Sequence, residues 1–374
     1  MSLISDIKDI DAIDGLRPRA CERCQRRDGI LLRCSSCKAV YYCGRDCQVA
    51  VRLQHKKPCK AISTALRHFD VEYKLLRDKP GDLFLPERVF ETCVGRFWGI
   101  FETRSYMRAR FGVVDALLRN YGRVGGSADV VQTALGHLLE MMTLCRSDNM
   151  GLRDLIPPLF IRLGRDQESY DFIKWYIHAQ EDDTYDWGDM DLPFLDVKNA
   201  DMLEAPPKKW FVGEPWLQLT HAVSLLLIKL RIWLDLRAIR NLSWAVGGLL
   251  PQELMDRIAV EIAGRIVLHR PDLRLTDAEQ MATLAKTLKS DIWDLYLAVD
   301  KYCEYFWDIL LEDPDEAIES TPQLYSPGSE QEALLMGRFS IASWYETPGA
   351  VEVLRQVRDA DIVGSFGAKT FPAI

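Results

Sequence analysis

Downstream of residue 60 the apolar positions recur with the 3.6-residue period of an α-helix rather than the two-residue period of a strand. From Ala61 to Arg77 they fall at Ile62, Leu66, Phe69 and Leu75/Leu76, until Pro80-Gly81 breaks the pattern. Pro86 suits the first turn of a helix running to about Glu102. Further helices are expected over Arg104 to Tyr121, closed by Gly122, and over Ala128 to Cys145. Ser147 and Asp148 offer an N-cap for a helix from Gly151 to Leu163, closed by Gly164, and Glu168 to Ala179 follows. A long helix is expected over about Pro215 to Asn241, with Leu225, Ile228, Ile232 and Leu236 on one side and Gly247-Gly248 after it. Helices recur at about Pro251 to Leu268, Asp277 to Leu288, Asp291 to Leu311, Glu330 to Tyr345 and Gly349 to Asp359, with a loop at Pro322 to Gly328. The pattern predicts a mainly α fold, with an all-α body over residues 61–374.

The short glycine joints suit antiparallel helix hairpins. A weak internal repeat supports this: Leu118-Arg119-Asn120-Tyr121-Gly122-Arg123 is echoed by Ile161-Arg162-Leu163-Gly164-Arg165. The stretch Gly151 to Tyr176 resembles a tetratricopeptide-type hairpin, which implies a repeat-like body; convergence on a generic helix–turn–helix is the alternative. Glu181 to Asp196 reads as an acidic loop, with Trp187 and Phe194 expected to tack it onto the helices. Asp186, Asp189 and Asp191 lack EF-hand spacing, so a solvated connector is favoured over a cation site. The body is either one helical domain or two, divided near residues 181–214.

Composition adds little to that picture: 48% apolar and 27% charged residues are ordinary globular values. The best apolar run, Ala222 to Ile228, is stopped by Lys229 and Arg231, so no membrane span is expected. Charge is more informative, because it is uneven. Residues 17–60 hold twelve Lys/Arg against three Asp/Glu, a net of +9; residues 1–16 sum to −3 and residues 61–374 to −14. A basic segment therefore sits between acidic ones. Nucleic-acid contact is one reading. No recognition-helix motif or base-stacking pattern accompanies the charge, so an offset to metal-bound thiolates is favoured.

The candidate chemistry lies in that basic segment. It reads Cys21-x2-Cys24-x9-Cys34-x2-Cys37-x5-Cys43-x3-Cys47-x7-His55-x3-Cys59. Eight soft ligands are the number two tetrahedral zinc ions need. Each Cys-x2-Cys lets one tight turn aim two thiolates at one ion. Cys43/Cys47 and His55/Cys59 lie four apart, so each pair can act from one helical turn. A disulfide framework is the alternative, but the chain opens Met-Ser-Leu-Ile-Ser-Asp-Ile without an apolar signal segment. The remaining cysteines, Cys93, Cys145 and Cys303, read as small core residues of a protein in a reducing compartment, cytoplasmic or nuclear.

The ligand order, six cysteines, then histidine, then cysteine, together with Tyr42-Cys43, Cys47-Gln48 and His55-Lys56-Lys57, resembles the MYND-type zinc finger, over residues 17–60. Residues 1–16 would form an N-terminal tail. The resemblance implies interleaved sites, with Cys21, Cys24, Cys43 and Cys47 on one ion and Cys34, Cys37, His55 and Cys59 on the other; spacing alone leaves sequential pairing open. It implies two structural zinc ions and a protein or peptide partner. It also implies a peptide groove lined by Gln48 and by a residue that is usually tryptophan. Here that residue is Arg52, which either alters the groove or closes it by pairing with an acidic group.

The rest of the chain offers no catalytic constellation. It has no Gly-rich phosphate loop, no nucleophile elbow and no His-Glu-x-x-His. Some SET-domain lysine methyltransferases carry an inserted MYND finger, but the Asn-His pair their cofactor site needs does not occur here. His68, His137, His178, His221 and His269 are scattered without ligand or acid–base spacing. The expected function is a non-enzymatic protein–protein interaction adaptor or regulator. An enzyme with an unrecognised helical site and a nucleic-acid-binding transcriptional regulator are the alternatives.

Overall fold

A computed structural model describes residues 15–211, 217–246, 254, 257–258, 264–268, 270, 273, 278–322 and 324–362. The described chain forms two compact units. One comprises residues 15–163 with 181–196; the other comprises residues 164–180 with 197–362.

The first unit opens with a two-stranded hairpin, β1 (Leu32–Arg33) and β2 (Tyr41–Tyr42), paired antiparallel with Leu32 opposite Tyr42. Helices α1 (Arg45–Ala50) and α2 (Arg52–Arg77) follow. α2 crosses residue 60 without interruption, so the last two candidate ligands and the first expected body helix share one continuous element. The helix expected from Pro86 to Glu102 does not form. Only α3 (Val89–Thr92) and a 3-10 turn at Phe97–Gly99 appear. Arg88 (φ 55°) and Gly95 (φ 89°) take left-handed backbone, which interrupts the helix at both places. What holds this segment is an aromatic cluster: Phe90 lies 5.3 Å from Tyr73, 5.3 Å from Phe97 and 5.0 Å from Tyr106. α4 (Thr103–Tyr121) and α5 (Ala128–Leu144) form the expected hairpin, and α2 packs along α4. Asp148 does cap the next segment. Its buried carboxylate accepts the N–H groups of Leu152 (2.7 Å) and Arg153 (2.9 Å). The single helix expected there is instead a 3-10 turn (Leu152–Asp154) followed by α6 (Ile156–Arg162), which packs on α5.

The acidic segment 181–196 belongs to this unit because two arginines hold its backbone. Arg96 donates to Gly188 O (2.8 Å) and Arg146 donates to Leu192 O (2.9 Å). Arg146 also covers Phe194, and Trp187 lies against Tyr185. Asp186 and Asp189 accept N–H groups two residues on, so these carboxylates serve the loop itself.

The second unit holds α7 (Asp166–Glu181), α8 (Leu219–Val246), a 25-residue helix Ala278–Tyr302, and the helices Phe306–Leu311, Pro314–Glu319, Glu330–Tyr345 and Ala350–Ile362. The two helices expected over 277–288 and 291–311 are one helix to Tyr302 and a short one after it. α8 and Ala278–Tyr302 pack together as the centre of the unit. Lys229, which ends the apolar run of the sequence, lies fully buried in α8. Its ammonium donates to Asp291 Oδ2 (2.9 Å) and Glu204 O (2.6 Å). No helix among the described residues is long and apolar enough to cross a membrane. The expected helix over 251–268 lies largely outside the described residues, apart from Leu254, Arg257, Ile258 and Gly264 and the short helix Arg265–Leu268; the double glycine 247–248 and His269 also lie outside them.

Candidate metal centre

The two Cys-x2-Cys claws are built alike. Gln25 N–H donates to Cys21 O and Lys38 N–H donates to Cys34 O, each at 2.9 Å. The residue after each claw takes left-handed backbone, Gln25 at φ 57° and Lys38 at φ 53°. This folds the chain back so that both thiols of a claw face inward. The β-hairpin then decides which claw meets which pair. Cys34 follows β1 and Cys43 follows β2. Antiparallel pairing sends these two positions to opposite ends of the hairpin, so the Cys34/Cys37 claw lies away from the Cys43/Cys47 pair. Glu22 N–H donates to Tyr41 O (2.8 Å), which aligns the first claw with the end of β2.

The eight side chains consequently gather as two interleaved groups: Cys21, Cys24, Cys43 and Cys47; and Cys34, Cys37, His55 and Cys59. Within each group the potential ligand atoms lie within 4.8 Å of one another. Sulfur–sulfur separations are 3.6 Å for Cys24–Cys43, 3.5 Å for Cys43–Cys47 and 3.9 Å for Cys34–Cys59. A zinc–sulfur bond of ~2.3 Å gives a tetrahedral edge of ~3.8 Å. The groups therefore have the size a zinc ion fills, and are too open for disulfides; all ten cysteines of the chain are free. His55 Nε2 faces Cys34 Sγ (3.4 Å) and Cys37 Sγ (3.8 Å).

The electrostatics agree with a cation requirement. Burial opposes ionisation of Cys21, but the N–H groups of Cys24, Cys43 and Arg23 bring its thiol down to about 6. Burial, with the neighbouring Cys34 and Cys59 sulfurs, pushes Cys37 up to about 12. Thiols this close cannot all become thiolates without positive charge among them. Burial also lowers the pKa of His55, keeping the imidazole neutral, as a ligand must be.

One contributor was not legible in the sequence. His55 Nδ1 lies 2.8 Å from the hydroxyl of Tyr121, the buried last residue of α4. With Nε2 on a metal ion, Nδ1 would carry the proton and donate to the tyrosine oxygen. This second contact fixes the ring and its tautomer. The two residues are 66 apart, so no local motif announces the pair. Arg17 also ties this region to the α4–α5 turn, donating to Gly126 O (2.8 Å) and accepting from Ala128 N–H (3.0 Å). Arg19 pairs with Asp129 at 2.7 Å.

Gln48 and Arg52 are both exposed, and Arg52 has no acidic partner among the described residues. Among the described residues, therefore, no ion pair of Arg52 closes a groove. The scattered histidines remain outside any metal group among the described residues. His68 lies beside Glu72, His137 accepts from Arg110, His178 is exposed, and His221 lies buried between Phe172 and Tyr176.

Residues 21–59 match the MYND finger family. A SET and MYND domain-containing protein of Dictyostelium discoideum is 56% identical over 34 residues, 9% of this chain and 6% of that protein. The chain thus spans only a small part of that relative's length. No solved structure matches the chain. It carries a MYND-type zinc-finger module, with two Cys/His groups typical of MYND zinc binding, beside a helical body.

Proposed function

We propose that the chain is a non-enzymatic adaptor or regulator that binds a protein partner, with the finger as one contact surface and the helical body as another. The observation that carries this reading is the division of labour in the finger. Its interior side chains are committed to two metal groups, while Gln48 of α1 and Arg52 at the start of α2 stand exposed, without a side-chain partner among the described residues. Cys21, Cys24, Cys43 and Cys47 would hold one zinc ion and Cys34, Cys37, His55 and Cys59 the other. Each group supplies four protein ligands, which leaves no position for a reactive water. Zinc would neutralise thiolate charge and brace the segment. Free thiols throughout suit a reducing compartment, nuclear or cytoplasmic. The SET-domain name belongs to a relative sharing 34 residues, and methyl transfer is not carried over from it.

Affinity capture from cells with the full chain, compared with Cys43→Ser/Cys47→Ser and with Gln48→Ala/Arg52→Ala, tests this. Partners lost in both variants, with the second retaining its zinc, support the reading. A partner set unchanged in both would overturn the finger's role.

A further inference from the structure

Below the Gln48–Arg52 turn, the outer side of α2 carries a second surface. Leu53, Lys56, Lys57, Lys60, Ala61 and Thr64 line a depression of about 570 Å³. These positions form one helical stripe, spaced as a partner helix lying alongside would meet them. Leu53 is 89% exposed, an unusual state for a leucine beside three lysines. None of those lysines is engaged by a carboxylate among the described residues.

The charge exceeds what the metal groups require. Seven thiolates around two divalent ions leave −3, so the +9 balance of residues 17–60 still leaves +6. His55 and Cys59 alternate with the stripe on the same helix, so zinc in the second group would hold this face from the other side. A surface ordered before the partner arrives does not lose that entropy on binding.

We propose that this face of α2 docks an acidic amphipathic helix of a partner protein. Its apolar side would rest on Leu53 and Ala61, and its carboxylates would meet Lys56, Lys57 and Lys60. The inference rests on the chain being a protein-binding module, but uses a different surface from Gln48 and Arg52. Nucleic acid is the weaker occupant. Phosphate contacts need no exposed leucine, and the stripe has no aromatic side chain on which a base could stack.

The test uses the full zinc-loaded chain and a labelled peptide of about three heptads, with leucine at the first and fourth positions and aspartate or glutamate elsewhere. Binding should weaken by about tenfold or more in Leu53→Ser and in the triple variant Lys56→Glu/Lys57→Glu/Lys60→Glu. A peptide with lysine replacing the acids should bind the triple variant better than it binds the wild type. All substituted side chains are exposed, and retained zinc verifies that each variant is intact. Several outcomes would overturn the proposal: no binding by the wild type; equal binding of a scrambled peptide; equal binding by both variants; or duplex DNA bound through these lysines with the peptide rejected. Binding only after removal of residues 1–14 would also overturn it, by making the chain's own acidic N-terminal segment the occupant. None of these outcomes bears on the Gln48–Arg52 surface, which Arg52→Trp and a proline-rich peptide test separately.

Discussion

Two side chains show how a single contact carries information that residue type alone does not. Tyr121 closes α4 and fills a core position, but its hydroxyl also holds the His55 ring at 2.8 Å. Tyr121→Phe preserves the packing and removes only that acceptor. It should lower affinity for the zinc at the second group by about tenfold, the effect common for partners of ligating histidines. Competition with a coloured chelator would measure it; an unchanged affinity would show the contact to be packing alone. Asp235 gives a pH signature. Burial raises its carboxyl to about 6, against the help of N–H groups from Gly264 and Val267. The folded state thus holds this proton more tightly than the unfolded state. The resulting stability is full below the usual 3.8 and is lost as pH rises through about 6. Asp235→Asn cannot ionise, so its melting temperature relative to wild type should climb between pH 4 and 7. A flat difference across that range would contradict the assignment.

α2 joins what the sequence divides. Its first two turns carry His55 and Cys59, while farther along Phe69 and Tyr73 pack into the aromatic cluster with Tyr106. Removing zinc should therefore fray the helix from one end. Hydrogen exchange after chelation should show amides of residues 52–60 losing protection while residues 66–77 keep most of theirs. Uniform loss along the helix would mean that the metal groups and the helical body fold as one cooperative unit. The α4–α5 turn is a second such junction. A Cβ on Gly126 would lie 2.5 Å from Tyr121 O and 2.6 Å from Arg123 O. Gly126→Ala should cost about 1–3 kcal/mol, as forced overpacking does. It should also disturb zinc binding by shifting Tyr121, which links a turn with no ligand of its own to the metal centre.

At the scale of the molecule, two interleaved groups of four ligands predict two zinc ions per chain. Metal analysis of purified protein should give that ratio, with sulfur dominating the X-ray absorption of both sites. One ion or none would refute it. Most helices were legible because their apolar periodicity is local: α4, α5 and Glu330–Tyr345 fall within a residue or two of where the pattern puts them. The misses share a cause. Residues 86–102 have helical periodicity, yet left-handed residues at 88 and 95 and aromatic packing break the run. Ala278–Tyr302 runs unbroken through residues 289–290, the gap between two expected helices, because it is packed along α8.

The sequence by itself determined the eight candidate ligand positions, the helical class of the body and the uneven distribution of charge. Each follows from residue type and short-range spacing. Tertiary structure decided the rest. Docking of the first claw on the end of β2, through Glu22 N–H to Tyr41 O, set Cys21 and Cys24 beside Cys43 and Cys47 and so selected interleaved over sequential groups. Long-range packing brought Tyr121 to His55 and gave buried Lys229 its partner Asp291. It also left Leu53 and three lysines on an uncovered face of α2. Which side of a helix is covered depends on what else packs against it, and a period read along one chain segment does not contain that.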